Sequence, residues 1–331
     1  MEKVQFAKSK DQISPICLGC MSFGKPDPNG HTWTLDYAQS KDIIEKALQA
    51  GINFFDTAPV YSNGTSEEYL GRALKELGAK REDLFIATKF FPRTPEEIEN
   101  NISMKEHISS WLSASLKRLD MDYVDLYILH KWDFETPIEE TLEALASLKA
   151  EGKIRHIGIS NAYAWQVARA NEIAKSNGWP TFESIQSHYN LLMREEEREM
   201  NPYARSEGMQ ITPYSALAAG RLSRKPGQSS NRLEKDAFAK FKYDAAANLD
   251  TPIIERVYSL SEQKGCSMSS IALAWLMAKG AVPIAGATKP SHIEGFREAC
   301  SILLSQEEID YLEELYEPHR LSGVMAQYPK M

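Results

Sequence analysis

Short runs of β-branched and apolar residues recur about every 30 positions along the chain, separated by amphipathic stretches of helical period. Eight of these runs read as strands: Ile16 to Gly19, Ile52 to Asp56, Leu84 to Lys89, Val124 to His130, Ile154 to Ser160, Phe182 to Gln186, Met209 to Tyr214 and Val282 to Gly286. The stretches Ser40 to Ala50, Ser66 to Leu77, Ile102 to Leu119 and Pro137 to Ala150 read as helices, several with a Ser or Thr start and a Gly just past the end. Thr136 ahead of Pro137, with Glu139 following and Gly152 closing, predicts a helix that opens at Pro137. Strand–helix alternation implies parallel strands, and eight such units close into a (β/α)8 TIM barrel of the α/β class. The competing arrangement is an open doubly wound sheet. Against it, no strand is followed by G-x-G-x-x-G, and no P-loop motif occurs.

Two segments fall outside the repeat. Val4 to Ile13 has β-like residues at both ends and is expected to form an N-terminal β-hairpin that plugs the bottom of the barrel. Leu217 to Asp250, after the seventh strand, reads as a long loop rich in Gly, Ser and Lys, and long structureless loops in compact domains are usually functional. Beyond the eighth helix, Ser305 to Tyr316 predicts an extra C-terminal amphipathic helix followed by an irregular tail. Residues 1–331 are read as a single barrel domain.

Composition narrows the function classes. Of 331 residues, 43% are hydrophobic and 25% charged, which suits a globular fold. A net charge of −8 argues against a nucleic-acid binder, since affinity for polyanions rests on Lys and Arg, and points to small-molecule partners. The opening Met-Glu-Lys-Val-Gln-Phe has no apolar stretch of signal-peptide length, and no run approaches the roughly 18 apolar residues of a membrane span, so a cytoplasmic location is expected. Four cysteines do not make a disulfide framework, and the C-x-x-C of Cys17 and Cys20 lies in the apolar run Ile16-Cys17-Leu18, where packing explains it. No H-x-H or H-E-x-x-H is present, so no metal is expected. Nothing in the pattern specifies an oligomeric state.

Active sites of such barrels lie at the C-terminal ends of the strands. Those ends are polar here: Asp56, Lys89, His130, Ser160 with Asn161, Gln186, Tyr214 with Ser215, and Gly286. A lone Asp there is most simply a turn cap and a lone Lys a solvated cation, but three titratable groups arriving together where apolar runs stop point to chemistry. Tyr61 lies five residues past Asp56, placed to lean over the mouth. A tyrosine is a poor proton donor at neutral pH unless a cation stabilises its anion. Lys89 supplies that charge, Asp56 holds the ammonium, and His130 hydrogen-bonds and orients a substrate carbonyl. Hydride cannot come from a side chain, so a nicotinamide is implied.

The string Asp56-Thr57-Ala58-x-x-Tyr61, then Gly71-Arg72-Ala73-Leu74, Lys89, His130, Gly158-Ile159-Ser160-Asn161, Gln186 and Tyr214-Ser215, resembles the aldo-keto reductases. The resemblance runs from Leu18-Gly19-Cys20-Met21 to Gly286-Ala287-Thr288. His130-Lys131-Trp132-Asp133, Pro137-Ile138-Glu139-Glu140-Thr141 and Tyr189-Asn190-Leu191 with Arg194 place it nearer the bacterial and fungal branch of aryl-alcohol dehydrogenase-like enzymes. The acidic run Glu195 to Glu197 is otherwise read as a solvated helix face. The resemblance implies an NADP(H)-dependent reductase of small carbonyl compounds. It implies that Ser160, Asn161 and Gln186 bind the nicotinamide carboxamide and that Tyr214 stacks on its ring, with Gly19, Cys20, Met21 and Asp56 beneath the cofactor. Ser215, Leu217, Gly220 and Leu222 would follow the pyrophosphate, and Gly286, Thr288, Lys289 and His292 the adenosine end.

Charge supports an anionic ligand near the long loop. Residues 221–242 hold seven basic side chains, Arg221, Arg224, Lys225, Arg232, Lys235, Lys240 and Lys242, against the acids Glu234 and Asp236. Lys225 and Arg232 match family positions that hold phosphates, which favours NADPH over NADH. The chain departs from the family at Gly295-Phe296, where a Glu-Asn pair is common, and at His292, where many members have Arg or Gln. For the substrate, Trp33, Tyr61, Phe90, Phe91, His130 and Trp132 are the candidate lining, with room for only one of Phe90 and Phe91 to face inward. The alternative function is a non-catalytic NADP(H)-binding regulatory module similar to potassium-channel β-subunits; these generally carry Asn where His130 stands.

Overall fold

The computed structural model describes residues 1–27, 32–228 and 231–329, apart from the side chains of positions 231 and 232. Strands β1 (Val4–Gln5) and β2 (Gln12–Ile13) pair antiparallel. Eight parallel strands follow: β3 (Cys17–Gly19), β4 (Phe54–Asp56), β5 (Phe85–Phe90), β6 (Val124–Leu129), β7 (Ile154–Ser160), β8 (Ser184–Gln186), β9 (Gln210–Ile211) and β10 (Ile284–Gly286). From β3 to β9 each strand pairs with the next in sequence, and β10 returns beside β3. The remaining seam is closed by the N–H groups of Val282 and Ile284, which donate to the carbonyls of Ile211 and Pro213, each at 2.9 Å. Pro213 has no N–H to give back, so this seam is thinner than a full ladder. Together these strands and the helices around them form the expected (β/α)8 barrel.

Side-chain alternation divides the core in two. On β6, Leu126 and Ile128 point into the barrel while Tyr127 and Leu129 face the helices. Phe54, Phe85 and Ala87 share the interior, and Phe55, Ile86 and Phe90 the outer layer. Both faces are buried, which is why these strands read as nearly continuous apolar runs. The hairpin closes the bottom as expected, with Phe6 and Ile13 packed into the interior cluster. Outside, helices Thr65–Glu76 and Met104–Leu119 approach so closely that a Cβ on Gly71 would lie 2.1 Å from the Leu119 carbonyl oxygen, a spacing only glycine permits.

Three local expectations are corrected. Pro137 is the cap of helix Ile138–Ala150, not its first residue; the Asp133 carboxylate accepts from the Glu135 and Thr136 N–H groups and holds the approach. Residues 217–250 are not structureless, since they contain a 3-10 turn (Ala218–Ser223), helices Asn231–Lys235 and Ala237–Tyr243, and the start of helix Ala247–Lys264. Glu195–Glu197 form a 3-10 turn instead of a solvated helix face, and Glu197 pairs with Arg194, which also bonds Glu313 on the extra helix Gln306–Glu313. Among the described residues, no helix is long and apolar enough to cross a membrane.

At the bottom, the His156 ring is gripped between Glu183 (2.7 Å) and Asp11 of the hairpin (2.6 Å). Burial alone would lower its pKa, but the two carboxylates more than offset this and hold it above 6.5. The stabilisation is therefore complete below the ordinary histidine pKa and is lost as pH rises through the higher folded value. The Glu183 carboxyl is held below its usual range despite burial, so its share fades only in acid. Thermal unfolding should show His156→Gln destabilised by about 1–3 kcal/mol at pH 6 and by clearly less at pH 9. An equal deficit at both values would show that the imidazolium does not hold the plug.

Candidate active site

Alternation decides what enters the barrel mouth. Asp56 shares the inward parity of Phe54, and Lys89 that of Phe85 and Ala87. The neighbouring strands β4 and β5 thus bring the two together: the fully buried Lys89 Nζ donates to Asp56 Oδ1 at 2.6 Å. It also donates to the Thr57 carbonyl at 2.9 Å and to the Tyr61 hydroxyl oxygen at 3.2 Å. These three acceptors match the three protons of an ammonium. The second Asp56 oxygen accepts from Gln186 Nε2 at 2.9 Å, tying β8 to β4 across the barrel. His130, just past β6, lies edge-on to Tyr61 with ring centres 6.1 Å apart.

Electrostatics give these groups distinct states. Burial pulls the Lys89 ammonium down, but Asp56, with Tyr61, reverses this and the net shift is upward. Burial pushes the Tyr61 hydroxyl above its ordinary value, and Lys89 works against that rise. Burial and the ammoniums of Lys89 and Lys131 hold His130 well below the usual histidine range, so its ring is neutral, with Nδ1 buried and lacking a hydrogen-bond partner among the described residues. The result is a cation locked beside a phenol, facing an uncharged imidazole. Because the phenol oxygen accepts from Lys89, its own proton remains to be given away.

A second set of polar groups adjoins the first. Asn161 has a left-handed backbone (φ 52°), which asparagine tolerates, and its Nδ2 donates to the His130 carbonyl and the Ser160 hydroxyl. Its Oδ1 accepts from the Tyr214 hydroxyl at 2.8 Å. His188 stacks parallel to the Tyr214 ring, 5.5 Å away. From Tyr214 the chain enters a tight turn in which Ser215, Ala218, Ala219 and Gly220 all have positive φ. Beside it Arg221 spends Nη2 on Asp244, while its Nη1 is buried with no hydrogen-bond partner among the described residues. That unspent guanidinium donor fits an anionic group, and the amide, hydroxyl and ring groups leading to it fit a nicotinamide dinucleotide. At the far end, pairing of β10 with β3 sets Gly286 opposite Gly19, and His292 Nδ1 accepts from the Thr288 N–H.

The structure gathers Asp56, Tyr61, Lys89, His130, Ser160, Asn161, Gln186 and Tyr214 at one mouth, but it corrects the substrate-facing candidate Phe90. Phe90 has outward parity and packs on Tyr127 under the helices (4.8 Å). Its neighbour Phe91 lies over His130 at 4.5 Å, with its carbonyl held by His107 Nε2 at 2.8 Å. Lys225 reaches the Tyr258 hydroxyl. The side chain of Arg232 lies outside the described residues. Two participants had no sequence signal: the Thr57 carbonyl, which is backbone, and Tyr328 of the tail. The Tyr328 hydroxyl donates to the Asn161 carbonyl, accepts from the Trp132 N–H at 3.2 Å, and its ring meets Phe134.

Comparison with known proteins agrees with this geometry. Residues 15–317 match the model of the aldo/keto reductase family. The chain is 36% identical to versiconal hemiacetal acetate reductase of Aspergillus parasiticus, over 96% of this chain and 98% of that protein. It is 34% identical to a putative aryl-alcohol dehydrogenase of Saccharomyces cerevisiae, over 97% and 98%. Among solved structures, a glycerol dehydrogenase of Gluconobacter oxydans superposes with a TM-score of 0.78 at 27% identity, covering 97% of this chain and 98% of its own.

Removing one partner of a buried ion pair leaves the other uncompensated. Asp56→Asn should therefore lower unfolding free energy in urea by about 3 kcal/mol or more, and the double variant Asp56→Asn/Lys89→Met should lose less than the two single losses combined. Strict additivity would show that the two charges do not depend on one another.

Proposed function

The chain belongs to the aldo/keto reductase family, and from that premise we propose that it is an NADPH-dependent reductase that turns a small aldehyde or ketone into the alcohol. The observation that carries the reading is the Lys89–Tyr61 contact, in which the phenol oxygen accepts from a locked ammonium and keeps its proton for the substrate oxygen. NADPH, when bound, supplies the hydride. Ser160, Asn161 and Gln186 would bind its carboxamide, and Tyr214 would present a ring face to it. His130, uncharged, donates a hydrogen bond to the substrate carbonyl and sets its angle, while Lys89 stabilises the phenolate that Tyr61 becomes. Asp56 holds Lys89 charged throughout.

His130 in this position supports catalysis over the regulatory-module alternative. The Phe91 ring over His130 supports a flat aromatic carbonyl as substrate, with Trp33 and Trp132 as further candidates for the lining, in keeping with relatives named for an aryl alcohol and for versiconal hemiacetal acetate. All four cysteines are free thiols, which supports action in the reducing cytoplasm as one barrel domain.

The test is an NADPH fluorescence titration followed by oxidation on addition of aromatic and aliphatic aldehydes. Tyr61→Phe should reduce turnover by about 10²-fold or more, since it removes the proton donor, while NADPH affinity stays unchanged. Unaltered turnover would exclude Tyr61 as the donor. Lys225→Ala and Arg232→Ala should each weaken NADPH by roughly tenfold while sparing NADH. Equal losses for both dinucleotides would place these side chains away from the 2′-phosphate.

A further inference from the structure

The basic side chains of residues 221–242 are not equivalent in the fold. Lys235 and Lys240 are exposed, Arg224 turns back on the Gly220 carbonyl, and Lys225 reaches Tyr258. Lys242 differs. It lies near the end of helix Ala237–Tyr243, is only 9% exposed, and its Nζ donates to the Ser215 hydroxyl at 2.6 Å. The same ammonium is 5.3 Å from the centre of the Tyr214 ring and 5.5 Å from those of Phe238 and Tyr243. The C-terminal tail covers its stem: Gly323 has φ +75°, and a Cβ there would come within 3.3 Å of Lys242 Cδ.

We propose that Lys242 is a phosphate-binding residue of the dinucleotide site, directed at the pyrophosphate that NADPH and NADH share. The inference rests on the reductase reading above and goes beyond it, because it assigns the charge to a side chain outside the residues that the family resemblance supplies. Its basis is placement. Ser215 directly follows the ring that faces the nicotinamide and opens the left-handed turn that ends beside the unspent Nη1 of Arg221. An anion leaving the nicotinamide passes Ser215 first, where the Lys242 ammonium is held in low-dielectric surroundings that strengthen a charge-assisted contact. Helix Ala237–Tyr243 thereby acts as a clasp over the cofactor, with the tail at Gly323 as its outer support.

The experiment is a fluorescence titration of wild type, Lys242→Met and Lys242→Arg with NADPH and with NADH, at several ionic strengths. Lys242→Met keeps most of the stem and should raise Kd for both dinucleotides by a similar factor, roughly tenfold or more, and flatten the dependence of Kd on salt. Lys242→Arg should retain the salt dependence and most of the affinity. A Kd for Lys242→Met within about twofold of wild type would overturn the assignment, given that single charged hydrogen bonds are worth far more. So would a raised Kd with unchanged salt dependence, which is the signature of lost packing alone. A loss confined to NADPH would also overturn it, by moving the contact to the 2′-phosphate. If wild type bound neither dinucleotide, the reductase reading itself would fall, an outcome distinct from wild type and Lys242→Met binding equally well.

Discussion

A lysine with no exposure at the heart of a barrel is the constraint around which the site is arranged. Dehydrating an ammonium costs several kcal/mol, and the cost is met only when every proton finds an acceptor. Lys89 finds three, the Asp56 carboxylate, the Thr57 carbonyl and the Tyr61 hydroxyl, and all come from β4 or the turn after it. The ion pair therefore fixes the turn from Thr57 to Tyr61, and with it the phenol. Through its other oxygen Asp56 also anchors Gln186, so the requirement to neutralise one buried charge orders groups on three strands.

Low dielectric serves the chemistry as well as the architecture. The neighbourhood that holds Lys89 charged keeps His130 neutral, because burial and the nearby cations both oppose a further positive charge. Two bases at one barrel mouth are thus driven to opposite protonation states. Farther out, charge is spent differently. Arg221 pairs with Asp244, and Lys242, covered by the tail at Gly323, donates to Ser215.

The barrel's two-residue period made much of the site legible in the sequence. Phe54 and Phe85 must point inward, so Asp56 and Lys89, two and four positions on, must do so as well. The same parity carries His130 inward with Leu126 and Ile128, and it sends Phe90 outward, against its choice from the sequence as a substrate-facing residue. The long segment after β9 was harder to read, because its helices are short and its Gly, Ser and Lys content matches a loop as well as a clasp.

The sequence by itself determined the alternation of strands and helices, the parity of each strand and the kinds of group delivered to the mouth, because these follow from backbone geometry over a few neighbouring residues. Tertiary structure alone decided that Phe91 covers His130, that Lys242 reaches Ser215 and that Tyr328 binds the carbonyl of Asn161, 167 residues away. Such contacts depend on how whole elements pack, and no local periodicity encodes which distant segment will fill the space above a barrel.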